Sequence, residues 1–415
     1  MNTLKQRVVI TGMGAITPIG LSLDEIETSL KNSQSGVKTI SLFNPESLPV
    51  CFAGEATAFH PEDFLDAKSI RQNDRFIQMC IAATDLAVKN SGVPPELLQE
   101  AGVAIGVGLG GLYTIEKATT TLDNFGPRKI SPFLIPSILA NLASGQISIR
   151  YNTKGANFAI SSACASGSQA IGHAYREIQS GRRTLWIAGG AEAPITPLSI
   201  AGFSAAKALS RRNDDPSSAS RPFDKDRDGF VLGEGAATFI VESLDSALKR
   251  GATIHCELVG FGIASDGYHV TKPEPNGEGA FLAMQEALFD AQIASKSIDY
   301  VNAHATSTPV GDEIEAIAMA RIFGDELINT FVSSTKSLTG HSCGASGAVE
   351  AVFCSLMLEK GFLAPAFNLD NMAPEFNFKS PSEKELNFKP ELIMNNSFGF
   401  GGINTSMILR KWHHD

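Results

Sequence analysis

Two stretches of the chain, AISSACASGSQAIGHAYREIQSG (159–181) and FVSSTKSLTGHSCGASGAVEAVFCSLMLEKG (331–361), follow one plan. Each opens on a short apolar run, passes through a turn of small residues, continues as a mostly apolar helical pattern and stops at a glycine. A helix with few charges before its last turn must be covered on nearly every side, so both helices belong near the centre of the molecule. Two central helices of one design predict two similar halves, and a chain of 415 residues is long enough to build them.

The remaining pattern agrees. Short apolar runs (VVITGMG, VAIGVGLG, ANFAISSA, TLWIAGGAEA, ATFIVE, CELVGFGIAS, YVNAHATS, FVSSTK and LIMNNSFGF) read as strands. Between them, helical spacing covers Asp74–Ser91, Ser166–Ser180, Gly279–Ala291, Asp312–Phe323 and Ser346–Lys360. Such alternation predicts an α/β protein with buried sheets. Leu244–Gly251 reads as a helix closed by glycine, and the midpoint falls just after it, giving halves of 5–252 and 253–412.

Charge and cysteine usage then remove whole classes of function. A net charge of −10 works against bulk attraction to nucleic acid or to an anionic membrane. The six cysteines form no CxxC pair and no zinc-like grouping with histidine, which fits a reduced, cytoplasmic protein without a structural metal. RVVITGMG near the start reads as a buried strand and not as a secretory signal. Residues Ile130–Ile149 carry no charge and approach the length of a membrane span, but Pro132, Pro136, Asn141, Gln146 and four serines argue instead for a buried helix at a subunit interface.

Two motifs are decoys. GVGLGG (106–111) fits the dinucleotide pattern G-x-G-x-x-G, yet the segment after it reads as proline-marked turns without the helix and acidic residue that pattern requires. DKDRDGFVLGEG (224–235) imitates a calcium loop, but Gly235 stands where a bidentate Glu should be, and Lys225 and Arg227 add positive charge; local ion pairs explain it better.

Cys164 is different. It sits among Ser162, Ala163, Ala165, Ser166 and Gly167, residues too small to cover a thiol kept for packing. A strand-to-helix turn offers free backbone N–H groups and a helix dipole that favour a thiolate, so Cys164 is a candidate nucleophile. Cys80, Cys256 and Cys354 suit packing roles. NAHATST sets His304 among small residues, and TKSLTGHSCGASG sets Lys336 and His341 five apart in a loop. His60, His173, His413 and His414 read as ordinary surface or core groups. NNSFGFGGINTS is either a packed glycine-rich turn or a backbone donor for an oxyanion with aromatics Phe398 and Phe400 beside it.

Taken in order, VVITGMGAITPIG, SSACASG, RPFDKDRDGFVLGEGA, VNAHATSTPVGD, STKSLTGH and NSFGFGGIN resemble the beta-ketoacyl-acyl-carrier-protein synthases of the type II elongation class, within the thiolase-like superfamily, over essentially the full length. The resemblance implies a five-layered αβαβα fold of two pseudo-equivalent halves, a homodimer and an acyl carrier protein as partner, with no cofactor. It implies that Cys164 carries the acyl chain, that His304 and His341 stabilise an enolate, and that Lys336, paired with Glu350 or Glu315, holds the electrostatics. The N–H groups of Cys164 and Phe400 would form the oxyanion hole, with Thr306 and Thr308 on the pantetheine arm. Leu109 and Phe400 would govern acyl entry, with Phe398 nearby and Phe133 and Leu134 reaching the tunnel from a partner subunit. Lys68, Arg71, Arg128, Lys129 and Lys207 match the family's basic docking patch. Ala305 replaces the family's usual glycine, and Ser342-Cys343 replaces larger aliphatic residues. A degradative thiolase would want a second reactive cysteine near the C-terminus, and a non-catalytic partner subunit would lack the nucleophile. A specialised polyketide or aryl-polyene ketosynthase would share all of this chemistry.

Overall fold

The computed structural model describes residues 5–413, so His414 lies outside the described residues. Ten strands form one continuous sheet: β1 Val8–Ile16, β2 Gly102–Gly106, β3 Asn157–Ile160, β4 Leu185–Glu192, β5 Gly235–Ser243, β6 Cys256–Ser265, β7 Tyr300–Asn302, β8 Phe331–Ser333, β9 Leu392–Gly399 and β10 Ile403–Lys411. Their spatial order is β8-β7-β9-β10-β6-β1-β5-β4-β2-β3. Read outward from the central β1–β6 pair, the two sides are copies. In each, the central strand pairs antiparallel with its neighbour, that neighbour pairs antiparallel with the next, and the two outermost pairings are parallel. The halves meet through an antiparallel register of Val8 with Leu258. A two-stranded ribbon, Val37–Thr39 with Phe52–Gly54, stands apart from the sheet.

Five helices complete the layers: α1 Arg75–Ser91, α2 Ser166–Gln179, α3 Glu278–Ala291, α4 Pro309–Phe323 and α5 Ser346–Lys360. The echoed helices α2 and α5 pack on each other in the middle, and α5 is buried over all but its last two residues. Their apolar faces join inner residues of both half-sheets in one core that includes Ile171, Tyr175, Phe239, Phe261 and Phe353. Helix α1 covers the outer face of the first half with Phe76, Ile77 and Met79, while α3 and α4 cover that of the second with Met284 and Met319. The sequence is thus helix, sheet, paired helices, sheet, helix, the thiolase-like arrangement expected.

Two expectations need correction. The segment after GVGLGG is not a run of turns: Leu112–Phe125 is a helix. Three consecutive threonines weaken its sequence signal, but the hydroxyls of Thr119, Thr120 and Thr121 each donate to the carbonyl four residues back, so the polar groups are absorbed within the helix. The uncharged segment 130–149 is not one buried helix. It breaks into Leu134–Ile138 and Asn141–Tyr151, and leaves Phe133, Ile135, Leu139 and Ile149 exposed on the protomer, Ile149 by 73%. Among the described residues no helix is long and apolar enough to cross a membrane.

The acidic loop behaves as expected. The carboxylate of Asp224 accepts from Arg221 and from the backbone N–H groups of Asp226 and Asn371.

Candidate active site

Cys164 lies in the turn between β3 and α2, held by a sharp bend: Ala163 takes a left-handed φ of 50°, and Ser166 Oγ accepts the Ser162 N–H at 2.9 Å. The hairpin between β9 and β10 comes down on this turn. It can do so because residue 399 is glycine, since a Cβ there would stand 2.4 Å from the Ser162 carbonyl oxygen. The approach aims the backbone N–H of Phe400, together with that of Cys164 itself, at the Cys164 sulfur.

The second half supplies the histidines. His341 Nε2 stands 3.0 Å from Cys164 Sγ, and its Nδ1 is 2.8 Å from Ser346 Oγ at the start of α5. His304 follows β7, with its ring edge-on to His341 at 5.3 Å between centroids and 5.8 Å from Phe398. Among the described residues, buried Nδ1 of His304 has no hydrogen-bond partner. Burial, reinforced by the charge of Lys336, holds both imidazoles well below their usual pKa, so both are neutral at physiological pH. One donor atom from each of Cys164, His304 and His341 lies within 4.8 Å of the others, a set that could ligate a soft divalent ion.

Lys336 is only 2% exposed and donates to Glu350 Oε1 at 2.5 Å. Of the two partners considered, Glu350 is therefore the one used. Glu315 does something else: its carboxylate accepts the backbone N–H groups of His304 and Ala305, at 2.9 and 2.7 Å, and so fixes the His304 turn. The Ala305 methyl is buried in the outer core of the second half.

The expectation of a ready thiolate is not met. Enclosure by protein pushes the Cys164 thiol up to about 11, despite the opposing pull of Lys336 and the N–H groups of Phe400 and Cys164. Desolvation outweighs the dipole here. The sulfur is a protonated thiol in contact with a neutral imidazole. Alkylation of Cys164 by iodoacetamide should therefore accelerate continuously between pH 7 and 10, because the thiolate fraction grows until the pH reaches the folded pKa. A plateau below pH 9 in the rate, followed by peptide mass spectrometry, would overturn this reading. Cys80, Cys256 and Cys354 are fully buried, as expected of packing residues, and Cys343 is nearly so.

Thr306 and Thr308, half-buried, touch through their hydroxyls at 3.1 Å beside His304. Leu109 and Phe400 are 46% and 44% exposed, while Leu134 is half-buried beside exposed Phe133. Lys68, Arg71, Arg128, Lys129 and Lys207 are all exposed. Helix Ala67–Gln72, bearing Lys68 and Arg71, packs on Leu134–Ile138, which in turn packs on Leu112–Phe125 next to Pro127–Lys129. Lys207 lies just past helix Pro197–Ala205, whose Leu198 N–H donates to Glu116 on Leu112–Phe125. Sequence reasoning missed Ser346, Asp312 and Glu192. Asp312 accepts the N–H groups of Phe223 and Thr308.

The arrangement is an enclosed thiol, two neutral imidazoles and converging backbone donors, a set suited to acyl transfer. Residues 5–247 match the family described as beta-ketoacyl synthase, N-terminal domain, and residues 255–370 match its C-terminal domain. The chain is 46% identical over 409 residues to 3-oxoacyl-[acyl-carrier-protein] synthase 2 of Coxiella burnetii, covering 98% of this chain and 99% of that protein. It is 44% identical over 413 residues to the enzyme of the same name from Synechocystis, covering 99% of each. Among solved structures, it is similar to the AntDE:AntF complex, a type II polyketide synthase acyl-carrier protein with its ketosynthase bound to the hexaketide, with a TM-score of 0.90, 28% identity, 98% of this chain and 100% of that one covered. Fold, site and sequence agree, and the chain belongs to the beta-ketoacyl synthase family.

Proposed function

We propose that this protein catalyses the elongation step of type II fatty acid synthesis, joining an acyl group held on Cys164 to a malonyl unit held on acyl carrier protein. The observation that carries the reading is the 3.0 Å contact between Cys164 Sγ and the neutral Nε2 of His341, with two backbone N–H groups aimed at the same sulfur.

The steps follow from these atoms. The thiol proton passes to His341 Nε2 as sulfur attacks the carbonyl carbon of the carrier thioester. Collapse expels the carrier's thiolate, which takes the proton back. The acyl oxygen then rests on the N–H groups of Cys164 and Phe400. Malonyl thioester binds next, and loss of CO2 leaves the electron pair of the broken bond as an enolate. Its oxygen accepts from Nε2 of His304 and His341, so charge stabilisation replaces a strong base. The enolate carbon attacks the acyl carbonyl, the C–S bond breaks, and the Cys164 thiolate leaves and takes one proton from solvent, the proton the overall reaction consumes. Ser346 Oγ, a donor or an acceptor as required, suits either tautomer of His341.

The relatives named 3-oxoacyl-acyl-carrier-protein synthase 2 support fatty acid elongation. Thr306 and Thr308 would receive the pantetheine arm, and Leu109, Phe398 and Phe400 would line the acyl path. Each methylene buried there contributes about 0.8 kcal/mol, so a few carbons set the chain-length preference. The open edge strand β3, where Phe158 is exposed, and the uncovered side chains of Phe133, Ile135, Leu139 and Ile149 support a homodimer. Phe133 and Leu134 would then reach the partner's acyl path. Six unpaired cysteines fit work in the cytoplasm.

Condensation assayed with carrier-bound acyl chains of graded length tests the reading; no 3-oxoacyl product at any length would reject it. The same assay tests docking. Arg128→Glu with Lys129→Glu should raise the KM for carrier-bound substrate about tenfold at low salt, and less at high salt, because exposed charges are screened. An unchanged KM at low salt would place the carrier elsewhere.

A further inference from the structure

Glu192, the last residue of β4, has no exposed surface. Its Oε1 accepts the backbone N–H groups of Leu109 and Gly110 at 3.0 and 2.9 Å. Its Oε2 accepts those of Gly108 and Gly344 at 2.7 and 3.1 Å. One carboxylate therefore joins two loops that are far apart in sequence. The first follows β2 and carries Leu109; the second follows His341 and carries Cys343. Both are cut to fit it. A Cβ at Gly108 would stand 2.6 Å from Oε2, and one at Gly344 would stand 2.6 Å from Oε2 and 2.4 Å from the Gly108 nitrogen. Cys343, between His341 and Gly344, takes a left-handed φ of 46° to bring the second loop into place.

This explains the GVGLGG motif. Its free N–H groups form an anion cradle, as the pattern implies, but the anion is the protein's own carboxylate and not a pyrophosphate. Burial pushes the Glu192 carboxyl up to about 7, against the four N–H groups that favour its charged form.

We propose that Glu192 is a positioning residue that fixes the Leu109 loop against the His341 loop, so that an internal carboxylate sets acyl-chain selectivity. The inference rests on the condensing reading above and deepens it. A Gln side chain has the same shape, but its NH2 would face two N–H donors, and two of the four bonds would be lost. Leu109 would then no longer be held at a fixed distance from the nucleophile.

The test is kcat/KM against acyl length for wild type, Glu192→Gln and Gly108→Ala, with melting temperatures and malonyl decarboxylation measured in parallel. Gly108→Ala pushes on the same carboxylate from the loop side while keeping its charge, and stands in if Glu192→Gln does not fold. In a folded variant, we expect kcat/KM for long acyl chains to fall about tenfold or more, with short chains and decarboxylation changing less than about threefold. Equal loss at all lengths, or an unchanged length profile, would overturn the proposal and leave Glu192 as a structural residue alone. A wild type inactive at every length would instead reject the condensing reading itself.

Discussion

Cys164→Ala should lower condensation by at least about a thousandfold while leaving the fold intact. The side chain lies in a turn shaped by Ala163, Ser166 and Gly399 and belongs to none of the hydrophobic cores, so losing a sulfur there costs little stability. All of the geometry proposed for acyl transfer, by contrast, converges on that atom: the His341 Nε2 contact and the two N–H groups. Incubation with acyl carrier substrate followed by peptide mass spectrometry should find the acyl group on Cys164. Acylation of Cys343 instead would sink the assignment, and Cys343 is a strict control because it is close in space and nearly buried. Cys164→Gln removes the nucleophile but leaves both histidines in place. It should release CO2 from malonyl carrier protein without forming a condensed product. Loss of decarboxylation in a folded Cys164→Gln would mean that the sulfur, and not the histidines, is needed for that step.

Lys336→Met should damage activity and stability together, and the two losses should be separable. Lys336 and Glu350 are each 2% exposed and pair at 2.5 Å. Removing one member of such a pair strands the other as a buried charge, at a cost of about 3–5 kcal/mol. Glu350 is already pushed up to about 6 by burial even with Lys336 opposing, and without the lysine it must go higher. A carboxyl whose folded pKa lies above its unfolded value of 4.5 costs stability as the pH rises from 4.5 to the folded pKa, so the variant should regain stability as the pH falls from above 6 towards 4.5. Adding Glu350→Met should restore the melting temperature by replacing the pair with apolar side chains. Activity should stay low in the double variant, because the Lys336 charge also depresses the pKa of His304 and His341 and opposes the rise at Cys164. Recovery of activity with stability would show that Lys336 serves the fold alone.

The groups proposed to form the site were legible because each stands out from its neighbours: a thiol, two imidazoles and an amine among glycines, serines and alanines. The groups that orient them were not. Ser346, which holds His341, is one serine among many in that loop, and Glu192 looks like a stray charge at the end of an apolar strand. Its partners are backbone N–H groups, which no side-chain pattern marks. The same limit applied to β10. INTSMILRK reads as mixed because Asn404 and Thr405 are buried, and their polarity is met by Asp266 and by the Ser397 carbonyl across the hairpin. The thiol's protonation also escaped the sequence, since the helix dipole can be inferred from a turn but the enclosure that outweighs it needs the second half of the chain.

The central position of β6 has a consequence for synthesis. Its two neighbours are β1, the first strand made, and β10, the last. During translation the growing chain can pair β6 with β1, but the opposite edge of β6 stays open until residues 403–411 have left the ribosome. For the whole interval in which residues 266–402 are made, an apolar strand edge has no partner, and such edges invite pairing with other chains. Every contact of β10 with β6 spans well over a hundred residues of intervening chain, so this closing step is non-local and slow by topology. His304, Lys336, His341 and Phe400 all precede β10, so the site they are proposed to form cannot be locked until residues 403–411 are made.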